Sequence, residues 1–148
     1  MSALTIAGGS ESRFTPEDAR DLLRTKIAPW VQELGLEVES CTPERALLRM
    51  PCSPGLARYG NTVCGQALMA AADTAMAIGI SAAFGRFQNI TTVSQTMNFM
   101  RAIPAGDVAI EVEVKKLGRS LVFAEASFRA AGSRAIAAQA VATWAVIP

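Results

Sequence analysis

Residues 63–84 constrain this chain more than any other stretch. They are dominated by Ala, Leu, Met and Ile, and between Arg58 and Arg86 the only ionisable carboxylate or base is Asp73. Roughly 20 apolar residues can cross a bilayer. The many Ala, Gly, Thr and Ser residues make this segment only weakly apolar, however, and a central aspartate adds about 2.5–3.5 kcal/mol to insertion. A helix buried almost all round inside a soluble assembly fits better. Such a helix needs something long to wrap it.

The flanks supply that. Thr15-Pro16-Glu17-Asp18 has the composition of a helix start, with Thr15 as cap, Pro16 in the first turn and acids at the positive end. Leu22, Leu23, Ile27, Trp30, Val31 and Leu34 recur at helical spacing, with Pro29 dividing the segment and Gly35 as its stop. Residues 36–40 and 44–50 read as two short strands around Thr42-Pro43. After Gly85 the period changes to two. Residues 91–100 are β-branched and extended, Pro104-Ala105-Gly106-Asp107 is a turn signal, and Val108, Ile110, Val112 and Val114 alternate with Glu111, Glu113 and Lys115. Turns at Leu117-Gly118-Arg119 and Ala131-Gly132-Ser133 lead into residues 120–130 and 134–147. These connections predict an antiparallel meander of the last four strands. The expectation is a single α+β domain over residues 14–148, with residues 1–13 a flexible leader.

Composition narrows the chemistry. The chain holds no histidine, which removes Ser-His-Asp and Cys-His hydrolases and the usual zinc sites. Cys41, Cys52 and Cys64 match no metal template and read as reduced thiols of a cytoplasmic protein. The leader lacks the basic-then-apolar order of a signal peptide. A net charge of +1 gives no sign of a nucleic-acid or membrane surface.

Asp73 is embedded in Ala70-Ala71-Ala72-Asp73-Thr74-Ala75-Met76. A carboxylate there must find a partner, face a cleft or take up a proton. It is either a structural acid paired inside an oligomer, or a general base or nucleophile made reactive by partial desolvation. Val63-Cys64-Gly65-Gln66 stands where loop becomes helix. Its amides either stabilise an oxyanion or merely form a tight junction. Cys64 has no histidine to activate it as a nucleophile. Met69, Met76, Phe84 and Phe87 either shape an apolar pocket or pack the core.

Cys64-Gly65-Gln66 with Leu68 and Ala72-Asp73-Thr74-Ala75 resembles the "His-Gly-Gly … Ala-Asp-Thr-Ala" segment of hotdog-fold acyl-CoA thioesterases of the phenylacetate-degradation (PaaI-like) type. Residues 96–107 are similar to their "Thr-x-x-Phe-Leu-Arg-Pro … Gly-Asp" strand, Lys116-Leu117-Gly118-Arg119-Ser120 to the following turn, and residues 138–143 to the last strand. The resemblance implies an antiparallel sheet wrapped around one long central helix, with an N-terminal helix. It also implies a homodimer with interface active sites, and in some members a dimer of dimers. Asp73 is then base or nucleophile, the Gly65 and Gln66 amides bind the thioester oxygen, and Lys116, Arg119 and Arg101 meet the CoA phosphates. Asn61, Cys64, Thr92, Ser94, Asn98 and Ser120 complete the expected substrate contacts. No metal or redox cofactor is implied; CoA arrives as part of the substrate. Four positions depart from the pattern: Cys64 replaces the histidine, Gln66 the second glycine and Ala102 the proline. Arg58 stands where an asparagine is expected, with Asn61 three positions later. The Cys64 and Gln66 replacements motivate an alternative, a non-catalytic acyl-CoA-binding or effector-sensing module.

Overall fold

The computed structural model describes residues 13–148; apart from Arg13, the expected leader lies outside them. Helix α1 (Pro16–Lys26) starts as its sequence dictates. The Thr15 hydroxyl accepts from the Asp18 N–H at 3.1 Å, and the Asp18 carboxylate accepts from the Thr15 N–H at 2.8 Å. Two orphan amides are thereby satisfied. Pro29 opens a separate short helix, α2 (Pro29–Gln32), and Gly35 adopts a left-handed φ of 70°.

Strands β1 (Glu37–Cys41) and β2 (Arg45–Met50) form a hairpin. A two-stranded ribbon, β3 (Ala57–Arg58) and β4 (Thr62–Val63), leads into α3 (Gly65–Phe84). This helix is long and apolar enough to span a membrane, yet 67% of its most apolar window is buried inside the fold. Gly85 ends it in the left-handed region, as helix-terminating glycines commonly do.

Strands β5 (Ile90–Phe99), β6 (Val108–Leu117), β7 (Leu121–Ala130) and β8 (Ala138–Val146) complete a six-stranded antiparallel sheet in the order β1-β2-β6-β7-β8-β5. The chain adopts the hotdog arrangement, with the sheet curled around α3. Small residues let the two surfaces meet. A β-carbon on Gly79 would lie 2.6 Å from Val112 Cγ1, well inside van der Waals contact, so the sheet approaches α3 where the helix has no side chain. Met76 is fully buried here, together with Leu48, Ile78, Ile110, Val122 and Phe128. It packs the core and shapes no pocket.

The four-strand meander is corrected. Only β6, β7 and β8 follow one another; β5 pairs with β8 and forms the sheet edge. Residues 100–107 do not turn back as a hairpin. They run past the start of α3, where the Ile103 carbonyl accepts from the Val63 N–H and the Asn61 carbonyl from the Ala105 N–H, both at 2.9 Å. The chain then enters β6 beside β2. Asp107 anchors the arrival: its carboxylate accepts from the Cys52 N–H at 2.7 Å and pairs with Arg49. The turn residues were legible, but the turn joins non-adjacent strands. The last strand also starts later than expected, at Ala138.

Candidate active site

Asp73 sits on the one stripe of α3 that the sheet leaves uncovered. Gln66, Met69, Ala70, Asp73 and Ala77 recur at helical spacing and are all exposed or half-buried, while twelve other positions of α3 are buried. The Thr92 hydroxyl, on β5, donates to Asp73 Oδ1 at 2.7 Å. Among the described residues Asp73 forms no ion pair. Its second oxygen therefore keeps its accepting capacity. Asp73 and Thr92 line a cavity of about 350 Å³ that runs beneath α1 and is bounded by Leu22, Lys26, Ile27, Ala77, Phe87 and Trp144. Of the two readings open for Phe87, pocket wall or core packing, the structure places it in the wall of this cavity. The α1 residues and Trp144 carried no local signal, because their approach to Asp73 is purely tertiary.

Gly65 opens a second cavity, of about 360 Å³, with Arg58, Leu68, Phe99 and Arg101. Cys64 is the cap residue of α3 without a side-chain cap bond, and Gln66 is exposed. The first amides of the helix have no intrahelical partner and favour negative charge. Phe99 closes over Gly65: a β-carbon there would touch its ring at 3.4 Å. Eight residues separate Gly65 from Asp73, about 12 Å along the helix axis. In one chain the two features occupy different cavities.

The remaining expected site residues are scattered. Thr92 reaches Asp73, but Val93 sits at a bulge between β5 and β8, after which Ser94, Thr96 and Asn98 oppose Thr143, Val141 and Gln139. Those partners alternate with the buried Ala140, Ala142 and Trp144, so Ser94 and Asn98 face away from α3. Gln95 turns inward instead, donating to the Met69 carbonyl at 3.2 Å. The extra bulge residue reverses the alternation, a shift that the sequence pattern did not reveal. Asn61 is exposed, with a φ of 55°, in the β3–β4 turn, where asparagine tolerates the left-handed region; it lines neither cavity. Lys116, Arg119 and Ser120 are exposed at the β6–β7 turn, at the end of the sheet where β5 begins. Arg101 follows the opposite end of β5, a strand of ten residues and so about 30 Å away. One chain cannot bring the three cations together. Among the described residues no three Cys, Asp or Glu side chains cluster as metal ligands would.

Comparison with known proteins decides the family, since the thioesterase superfamily profile matches residues 60–137, more than half of the chain and all of α3. The chain belongs to the thioesterase superfamily. The fold is shared with solved members. Zebra fish thioesterase superfamily member 2 superposes with a TM-score of 0.78 at 22% identity, covering 90% of this chain and 99% of its own. A thioesterase family protein from Silicibacter pomeroyi gives 0.75 at 24%, covering 87% and 95%. The Escherichia coli PaaI protein of the phenylacetic acid degradation operon gives 0.78 at 16%, covering 89% and 92%. No functionally curated protein matches the sequence. For this thioesterase-superfamily chain, then, thioester hydrolysis is the chemistry its family membership supports.

Proposed function

We propose that this chain is a cytoplasmic hydrolase of acyl-CoA thioesters whose sites are completed between two copies. One observation carries the reading: the sole carboxylate of α3 lines a cavity, accepts from a neutral hydroxyl, and forms no ion pair among the described residues. A carboxylate placed in that way can serve as a general base or a nucleophile.

The geometry of one chain supports the two-chain reading. Edge strand β5 carries Thr92 near its start and Phe99 at its end, so the Asp73 and Gly65 cavities lie towards opposite ends of the same strand. Antiparallel pairing of two β5 edges about a two-fold axis brings the Asp73 end of each copy to the Gly65 end of the other. Exposed Val93, Met69 and Met100 would then be covered, and Lys116 and Arg119 of one copy would lie nearer Arg101 of the other.

In the reaction, Asp73 takes a proton from water as its oxygen adds to the thioester carbonyl. The Gly65 and Gln66 amides hold the resulting oxyanion. Collapse breaks the C–S bond, and the departing thiolate receives the proton, leaving acid and free CoA. Direct attack by Asp73, giving an anhydride that water then hydrolyses, uses the same groups. No metal or redox cofactor takes part. Cysteines 41, 52 and 64 are all free, as suits a reducing cytoplasm.

Mixing two inactive variants tests the proposal. Asp73→Asn and Gly65→Val damage different halves of a composite site, so a re-assorted pair has one intact site in each mixed dimer. Thiol release should return to about a quarter of wild type at equal amounts. No recovery, with mixed dimers demonstrated, would assign both groups to one chain. Tight acyl-CoA binding by the wild type, with no thiol release across short, long, branched and aromatic acyl groups, would instead make it a binding module.

A further inference from the structure

The cavity beside Gly65 contains two cations that hydrolysis does not use. Arg58 and Arg101 both line it, and none of its other lining residues is an acid. On the sheet, Arg45, Arg49 and Arg129 are each held by carboxylates. Arg58 and Arg101 form no ion pair among the described residues. The Arg58 guanidinium donates only to the Tyr59 carbonyl, at 3.2 Å, and the Arg101 guanidinium donates to no described residue. Their backbones, by contrast, are fixed. Arg58 pairs with Thr62 across the β3–β4 ribbon, and Thr62 bridges in turn to Pro104. The Arg101 N–H donates to the Ala137 carbonyl at 3.0 Å. Two guanidinium groups with free donors are thus anchored on neighbouring segments around one opening. The other walls are mostly apolar, among them Val63, Leu68, Phe99 and Ile103.

Two permanent cations beside an apolar wall suit a ligand with an apolar body and an anionic end. We infer that this cavity receives the acyl group of the substrate, and that Arg58 and Arg101 select acyl groups ending in a carboxylate over monocarboxylic chains of equal length. The inference rests on the reading of the Gly65 amide as the seat of the thioester oxygen. With the carbonyl there, the CoA phosphates of the same molecule lie a full pantetheine arm away, further than a cavity of about 360 Å³ extends. The anion that meets the two guanidinium groups is then the acyl group's own, and Lys116 and Arg119 remain for the phosphates. That volume has room for about a dozen water-sized groups, enough for a short diacid chain. A guanidinium fork matches a carboxylate through two parallel hydrogen bonds. A methyl group in the same place offers it no acceptor, and a site built for a polar group discriminates strongly against a ligand that lacks it.

Calorimetric titration of Asp73→Asn protein, which leaves this cavity intact, tests the inference apart from turnover. The probes are succinyl-, glutaryl- and adipoyl-CoA, each compared with the monocarboxylic acyl-CoA of the same chain length. The CoA half is common to both members of a pair, so its phosphates cancel. At least one diacid should bind about tenfold tighter than its counterpart. Adding Arg58→Gln or Arg101→Gln should reduce that ratio, and the two together should bring it close to one. Both side chains are exposed, so neither change opens the core. Equal affinities within every pair would overturn the inference; if Arg101→Gln then weakened both members alike, its guanidinium would belong to the CoA phosphates. A ratio that survives the double substitution would overturn it as well. Thiol release by wild-type protein is read separately: its absence alongside carboxylate-selective binding would remove the hydrolase reading and leave the pocket assignment standing.

Discussion

The two sides of α3 differ in kind. Towards the sheet, Ala71, Ala75, Ile78, Gly79 and Ala82 are sealed against β2, β6 and β7 with almost no exposed surface. On the open stripe, Gln66, Met69, Asp73 and Ala77 keep contact with solvent or cavity. The first side is uncharged, small and close-packed, so any added volume must displace the sheet. The second carries the helix's one charge, half-buried and lining a cavity. A single helix separates its packed side from the side where the proposed chemistry would take place, because residues three and four apart share a face.

That separation can be broken from either side. The largest effect is expected from Asp73→Asn, which should lower acyl-CoA turnover by about 10²–10⁴-fold and leave the melting temperature within about 2 °C. Unaltered turnover, measured by thiol release, would move the chemistry off this stripe. Next in size is a volume test of the packed side. Gly79→Val drives two methyl groups into Val112 and should cost about 3 kcal/mol. Ala70→Val, on the open stripe, should cost under about 1 kcal/mol. Equal losses in chemical denaturation would show that the two sides do not differ as described.

The smallest effect concerns the far edge of the core, where β6 enters the sheet. The Cys52 N–H, and then the Arg49 hydrogen bond, hold the Asp107 carboxyl below its usual range. Its folded pKa is therefore lower than its unfolded value of about 3.9. The stabilisation it provides is complete above that value and drains away as the pH falls through the folded pKa. Asp107→Asn should thus melt somewhat below wild type near neutrality, with the gap closing in acid. A gap that persisted undiminished to a pH of about 2 would place the contribution in packing and not in charge.

Much of the fold was legible locally. The Thr15 cap, the Pro29 break, α3 with its Gly85 terminus and most of the strands follow from residues close in sequence. What failed locally failed for definite reasons. The β5 edge depends on a link that passes beside α3, and the turn chemistry of Pro104-Ala105-Gly106-Asp107 is the same whichever strands it joins. Thr92, Ser94 and Asn98 were expected together as substrate contacts, and the bulge at Val93 sets Ser94 and Asn98 on the opposite face from Thr92. Asn61 was chosen for proximity in sequence, yet its backbone is committed to a turn. Asp73 and Gly65 were legible as chemical types. Their separation into two cavities was not, since it depends on how far β5 and α3 carry each end of the chain.

The amino-acid order alone determined that a nearly uncharged helix must be enclosed, that an antiparallel sheet must enclose it, and that a lone aspartate must be accommodated within it. Period, composition and capping are local properties, and they act before any long-range contact forms. Tertiary structure alone decided which stripe of α3 stays open, that Thr92 and not Ser94 meets Asp73, and that α1 and Trp144 wall its cavity. Those outcomes depend on strand order, a single-residue bulge and contacts between distant segments, where free energy is set by packing in three dimensions.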